Sequence, residues 1–176
     1  TGWSYGLAGA AYTAFALHVW RVERSGVEHP AAARWMTLAL AATAAWAWAG
    51  LADLFATTVL FMRLGALADL LAYACWFGLL LQLLRSGAGG RSAPTVTWLA
   101  RVAVAAVAGA ALLQALVILG VGRFDERSRL VLLGGMVLSV LALVLVEQLL
   151  RNVSDDALWN VKPLGLGLTG AFLFDL

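Results

Sequence analysis

Long apolar runs broken by short polar stretches set the pattern of this chain. Six runs stand out: Gly2–Trp20, Trp35 to about Asp53, about Leu64–Leu84, Trp98–Gly120, Leu130–Leu150, and a sixth that begins near Val161 and is still apolar at Leu176. Each approaches the roughly 20 apolar residues that a bilayer-crossing helix needs. Alternating strand patterns are absent. In lipid the backbone must satisfy its own hydrogen bonds, so helices are the expected element. The expected fold is all-α, a polytopic transmembrane helical bundle with about six spans visible, forming one domain over residues 1–176. The longest polar stretches, Arg21–Arg34 and Arg85–Thr97, are too short for a soluble catalytic domain.

Composition strengthens that picture. Of 176 residues, 62% are hydrophobic and only 12% charged, about half the usual charged fraction. The mean hydropathy is +0.88. The net charge of +2 is a matter of membrane topology and does not point to nucleic acid. A single cysteine, Cys75, excludes an internal disulfide and a CxxC metal or redox site. Two histidines, His18 and His29, are too few for a haem or di-iron centre. No HExxH, no GxSxG and no paired intramembrane aspartate motif occurs.

The basic residues give the expected orientation. Arg21, Arg24, Arg34, Arg85, Arg91, Arg101, Arg151 and Lys162 fall after odd-numbered segments, against Arg63, Arg123, Arg127 and Arg129 on the other side. Eight against four puts the N-terminus outside. Trp3, Trp20, Trp35, Trp98 and Trp159 lie near segment ends, as an aromatic belt requires. The chain starts at Thr1 and stops within an apolar run, so we expect a fragment of a longer protein, completed most simply by a seventh span.

Intramembrane polar groups are costly and mark functional candidates. At about 1.5 Å per residue, Asp53 lies roughly 27 Å beyond Trp35. Asp69 lies about 9 Å past Arg63, and Asp175 about 21 Å past Val161. With Gln114 they form an outer-half set, a candidate ligand-sensing pocket for a cation, a proton or a polar ligand. Asp53 and Asp69 also suit an interfacial role, paired with Arg63 or water. At the inner end, Glu147 and Arg151 stand four apart with the acid first, the favourable order for a helical ion pair.

Several motifs imitate chemistry. Gly165, Gly167 and Gly170 fit GxGxxG but lie within an apolar run. Close helix packing through small residues is the better reading, as it is for Gly2/Gly6 and Ala105/Gly109. Asn152-Val153-Ser154 is a chance sequon on the expected cytoplasmic side. The segment Ser86–Gly90 lacks the lysine of a phosphate loop and reads as a connector.

One pattern is distinctive: Glu147-Gln148-Leu149-Leu150-Arg151-Asn152, a polar turn, Trp159, Lys162-Pro163-Leu164-Gly165, then Phe174-Asp175-Leu176. It resembles the membrane region of the PrsK-type histidine kinases of the PEP-CTERM/exosortase system. Leu150 and Phe174 stand where that family has Tyr. The element Asp69-Leu70-Leu71-Ala72 with Trp76 is similar too, with Ala72 in place of Arg. The resemblance covers about the last 110 residues. It implies a non-catalytic sensor or signal-input domain of a two-component system in the bacterial inner membrane. It also implies a cytoplasmic kinase core downstream, a response regulator as partner of that core, and a homodimer. ATP and Mg would belong to the core, so no cofactor is expected in this chain. On this reading Glu147, Gln148, Arg151, Asn152, Trp159, Lys162 and Pro163 form a stiff turn between helices five and six, with Pro163 at the start of the sixth, able to relay a helix shift. The alternative is a small transporter or channel with an outward-facing acidic pocket. A membrane enzyme is the least supported reading.

Overall fold

The computed structural model describes residues 2–24, 30–56, 59–87, 93–120, 124–152 and 155–174. All of the regular structure there is helical: α1 Gly2–Arg24, α2 Pro30–Ala56, α3 Val59–Gly87, α4 Ala93–Ile118, α5 Phe124–Asn152 and α6 Asp155–Phe174. The all-α expectation holds.

Every helix after the first begins before its apolar run. Arg63, expected in a loop, is the fifth residue of α3, and Arg101 is the ninth of α4. Polarity marks where a bilayer would end, not where a helix ends, because Arg, Lys, Gln and Glu are themselves good helix formers. The helices start and stop on backbone signals instead. Pro30 opens α2, where a missing N–H costs nothing. Beyond α4, Leu119 still donates its N–H to the Ala115 carbonyl at 2.9 Å. Gly120 then turns to φ +75°, the left-handed residue that commonly ends a helix.

Four of the six helices are long and apolar enough to cross a membrane: Ala31–Ala56, Val59–Ser86, Pro94–Ile118 and Arg129–Asn152. Among the described residues four of the six expected spans meet this measure, and α1 and α6 do not reach it. In α1 the apolar residues are interleaved with Trp3, Ser4, Tyr5, Tyr12, Thr13 and His18. In α6 only 20 residues are helical, with Asn160, Lys162 and Pro163 among them. The outward surface is apolar as a membrane protein's should be: Leu7, Phe15, Met62, Val104, Leu112 and Leu132 are all exposed. Soluble monomers rarely carry apolar surface on this scale.

The chain forms two compact units, Thr1–Leu79 and Leu80–Leu176, with the division inside α3. In the first unit α1 and α2 run antiparallel, since Gly2 faces Leu54, Gly6 faces Leu51 and Gly9 faces Trp48. Aromatic rings lie on glycines of the neighbouring helix. A Cβ on Gly9 would come within 2.9 Å of the Trp48 ring, one on Gly50 within 2.8 Å of Tyr5, and one on Gly78 within 2.5 Å of Trp35. Small residues let membrane helices approach closely where dispersion is the main attraction. Ala39, Ala42, Ala44 and Ala47 of α2 are buried for the same reason.

The same unit contains two hydrogen-bond relays of one design. Trp48 Nε1 donates to Thr13 Oγ1 at 3.1 Å, and Thr13 donates to the Gly9 carbonyl at 2.6 Å. One helix further on, Trp76 Nε1 donates to Thr43 Oγ1 at 3.1 Å, and Thr43 donates to the Ala39 carbonyl at 2.8 Å. Each threonine satisfies an indole N–H that lipid could not. Thr43→Val removes that acceptor while keeping the shape. We expect a loss of about 0.6–1.7 kcal/mol in a denaturing-detergent titration, with Thr43→Ser close to wild type. Equal stability of all three proteins would show that the relay contributes nothing.

In the second unit α5 presents a buried face of Leu138, Leu141, Ala142, Leu145, Val146 and Leu149. It packs against α4 through Gly134, which faces Leu113, and against α6 through Gly165, which faces Leu150. Pro163 is the ninth residue of α6, not its first. With no N–H to offer the carbonyl of residue 159, it breaks the helix ladder from within.

Candidate functional site

The outer-half polar residues divide between the two units. Asp53 is three residues from the end of α2 and Asp69 is the eleventh residue of α3, both in the first unit. Gln114 is four residues from the end of α4, in the second unit. Asp175 lies outside the described residues. Asp53, Asp69 and Gln114 are each partly buried. The sharpest feature among them is Asp53 Oδ1, which is buried and has no hydrogen-bond partner among the described residues. A carboxylate oxygen withdrawn from water without a donor is energetically costly, so Asp53 is the strongest of the outer candidates.

The inner-end residues are positioned differently from the expected turn. Helix α5 continues to Asn152 and α6 begins at Asp155, so only residues 153–154 separate them. The stretch Glu147–Pro163 is the end of one helix and the beginning of the next, not a long turn. Trp159 belongs to α6 and its side chain lies outside the described residues, as do Val153 and Ser154 of the sequon. Arg151 Nη2 bonds Glu147 Oε1 at 2.6 Å along α5, with side chains 70% and 54% exposed. An exposed pair of this kind contributes under about 1 kcal/mol, so its value is in direction rather than stability. Asn152 Nδ2 donates to the Gln148 carbonyl at 2.7 Å, one turn back along the same helix. A Cβ on Gly165 would lie 3.1 Å from Leu150 Cδ2. The expected small-residue contact is thus made at Gly165, which is interior to a helix and cannot act as a phosphate loop. Gly167, Gly170 and Gly109 have no neighbour within 4 Å among the described residues. The Ala105/Gly109 face of α4 is unused there.

Sequence reasoning missed a second site, an open cleft of about 560 Å³ between α1 and α2. Thr13, Ala16 and Trp20 line it from α1, and Thr37, Ala44 and Trp48 from α2. At its end nearest the α1–α2 connection the Arg24 guanidinium lies 3.9 Å from the centre of the Trp20 ring. Arg34 Nε bonds Glu23 Oε1 at 3.2 Å across the two helices. A spacing rule cannot find such a site, because its residues are 17–35 positions apart between the two helices and none is unusual alone.

No family model matches this chain, and neither a curated protein nor a solved structure matches it.

Proposed function

We propose that this chain is the membrane-embedded signal-input region of a two-component sensor histidine kinase of the PrsK type. In this reading it crosses the bacterial inner membrane in six spans as one polytopic bundle, with the N-terminus outside. Catalysis, ATP and Mg belong to a cytoplasmic core in the same parent protein, which passes phosphate to a response regulator and acts as a dimer. One observation carries the proposal. The described residues of the resemblance, Glu147–Asn152 and Lys162–Gly165, belong to the end of α5 and to α6, which are separated by residues 153–154, and Gly165 rests on Leu150. The ion pair and the Asn152 contact hold the end of α5, while Pro163 interrupts α6 a short distance away. A shift of α6 against α5 would leave the α5–α6 junction as a change of helix direction.

The test begins with the coding sequence beyond Leu176, which on this reading encodes a phospho-accepting histidine and ATP-binding boxes. In that parent protein, in native membranes, Glu147→Ala and Lys162→Ala are expected to change stimulus-dependent autophosphorylation severalfold at unchanged protein level. Signalling equal to wild type in both variants would count against a relay at this junction. A stop codon within another helix or two would remove the kinase reading altogether.

The orphaned Asp53 oxygen favours a second reading, a small proton or cation transporter. A proteoliposome flux that Asp53→Asn abolishes would support it, and an absence of flux in the wild type would exclude it.

A further inference from the structure

The cleft between α1 and α2 has a length, a chemistry and a charged end that together specify an occupant. Along α2 it extends from Thr37 to Trp48, about 16 Å at 1.5 Å per residue. That is half of a hydrocarbon core about 30 Å thick, the depth of a single leaflet. Ala16 and Ala44 are buried at its floor, while Leu17, Trp20 and Trp48 stand exposed at its rim. The hydroxyl hydrogens inside it are already engaged. Thr13 donates to the Gly9 carbonyl and Thr37 to the Ala33 carbonyl, and Trp48 Nε1 donates to Thr13. Of the described lining side chains only Trp20, at the rim, keeps an N–H for a polar ligand, so the interior of the cleft suits an alkyl chain.

Among the described residues, the end where α1 stops and α2 starts is basic. Arg24 rests on Trp20, itself a rim residue, and Arg21 is one turn away on the same helix end. Glu23 is neutralised by Arg34. Neither Arg21 nor Arg24 is bridged by a carboxylate among the described residues. Arginines at the headgroup level attract anionic lipid. We infer that this cleft is a binding site for one anionic phospholipid, an acyl chain lying between α1 and α2 and the phosphate meeting Arg21 and Arg24. This inference needs the chain to lie in a bilayer but does not depend on the signalling proposal. Either can fail alone.

The test uses the 176-residue chain purified in micelles containing equal amounts of dioleoylphosphatidylglycerol and dioleoylphosphatidylcholine. After repurification the retained lipids are counted by native mass spectrometry. Wild type is expected to retain about one phosphatidylglycerol per chain, preferred over phosphatidylcholine by roughly tenfold. The double variant Arg21→Ala/Arg24→Ala, which spares the Glu23–Arg34 pair, is expected to lose the headgroup preference. Ala41→Phe and Ala45→Phe, which fill the cleft from its exposed side, are expected to lower retention of both lipids. Circular dichroism checks that each variant is still helical. Equal retention of the two lipids by the wild type would overturn the inference without reference to any variant. So would many retained copies that no substitution reduces, since that is a nonspecific lipid annulus.

Discussion

Replacing Gly78 with alanine is expected to destabilise the chain by about 1–3 kcal/mol, the usual cost of an extra methyl in a packed interior. The new Cβ would stand 2.5 Å from Cε3 and Cζ3 of Trp35 and 2.8 Å from Cδ2. A fused ring is rigid, and contact with its centre as well as its edge means that a small tilt does not relieve the clash. The α3 backbone cannot retreat cheaply, because Phe77 and Leu79 on either side are each only 2% exposed. Helix propensity works the other way, since Ala is better than Gly by about 1 kcal/mol. That gain is smaller in lipid, where the denatured chain keeps its helices. The clash should therefore dominate. Trp35→Ala in the same chain should recover much of the loss, and Gly109→Ala, at a glycine with no neighbour within 4 Å among the described residues, should be neutral. Denaturing-detergent titration of the four proteins decides the matter. A Gly78→Ala curve superimposed on wild type would mean that Trp35 does not occupy that seat.

The second large effect is expected at Leu145, which is fully buried on α5. In a water-soluble protein Leu→Ala costs about 2–5 kcal/mol, part of it transfer free energy and part the cavity left behind. In a bilayer the transfer part largely vanishes, because lipid tails are as apolar as a leucine side chain. What remains is lost dispersion around a void, and we expect about 1–3 kcal/mol. Leu132 on the same helix is 69% exposed. Its truncation leaves no cavity and should lie within about 0.5 kcal/mol of wild type. The difference between the two is the informative quantity. Similar costs at both positions would mean that the face of α5 carrying Leu132 is covered rather than turned to lipid.

The helical class and the approximate centres of all six helices were legible in the sequence, because apolar runs of near-spanning length have few other uses. The ends were not. A continuous α5 through Gln148, Arg151 and Asn152 looks, in hydropathy alone, like a helix leaving the membrane for a loop. For the same reason Pro163 looked like a helix start when residues 155–162 already belong to α6. The favourable order of Glu147 and Arg151 was readable because a helical ion pair is a local rule of four residues. The aromatic rings on Gly9, Gly50 and Gly78 were not, since each joins residues 39–45 positions apart. Among the outer candidates the sequence did not distinguish Asp53 from Asp69. Only the burial of Oδ1 with no donor in reach separates them. The α1–α2 cleft was invisible because alanine, threonine and tryptophan are ordinary membrane residues until two helices place them face to face.

The interleaving of polar and aromatic residues along α1 bears on how the protein is made. A segment with Ser4, Tyr5, Tyr12, Thr13 and His18 partitions poorly into lipid by itself, yet it matches α2 in detail through Gly9, Trp48 and the Thr13 relay. The first helix emerges from the ribosome before the partner that would shelter its hydroxyls. In a bilayer α1 is therefore expected to be stable only beside α2, the two acting as one hairpin.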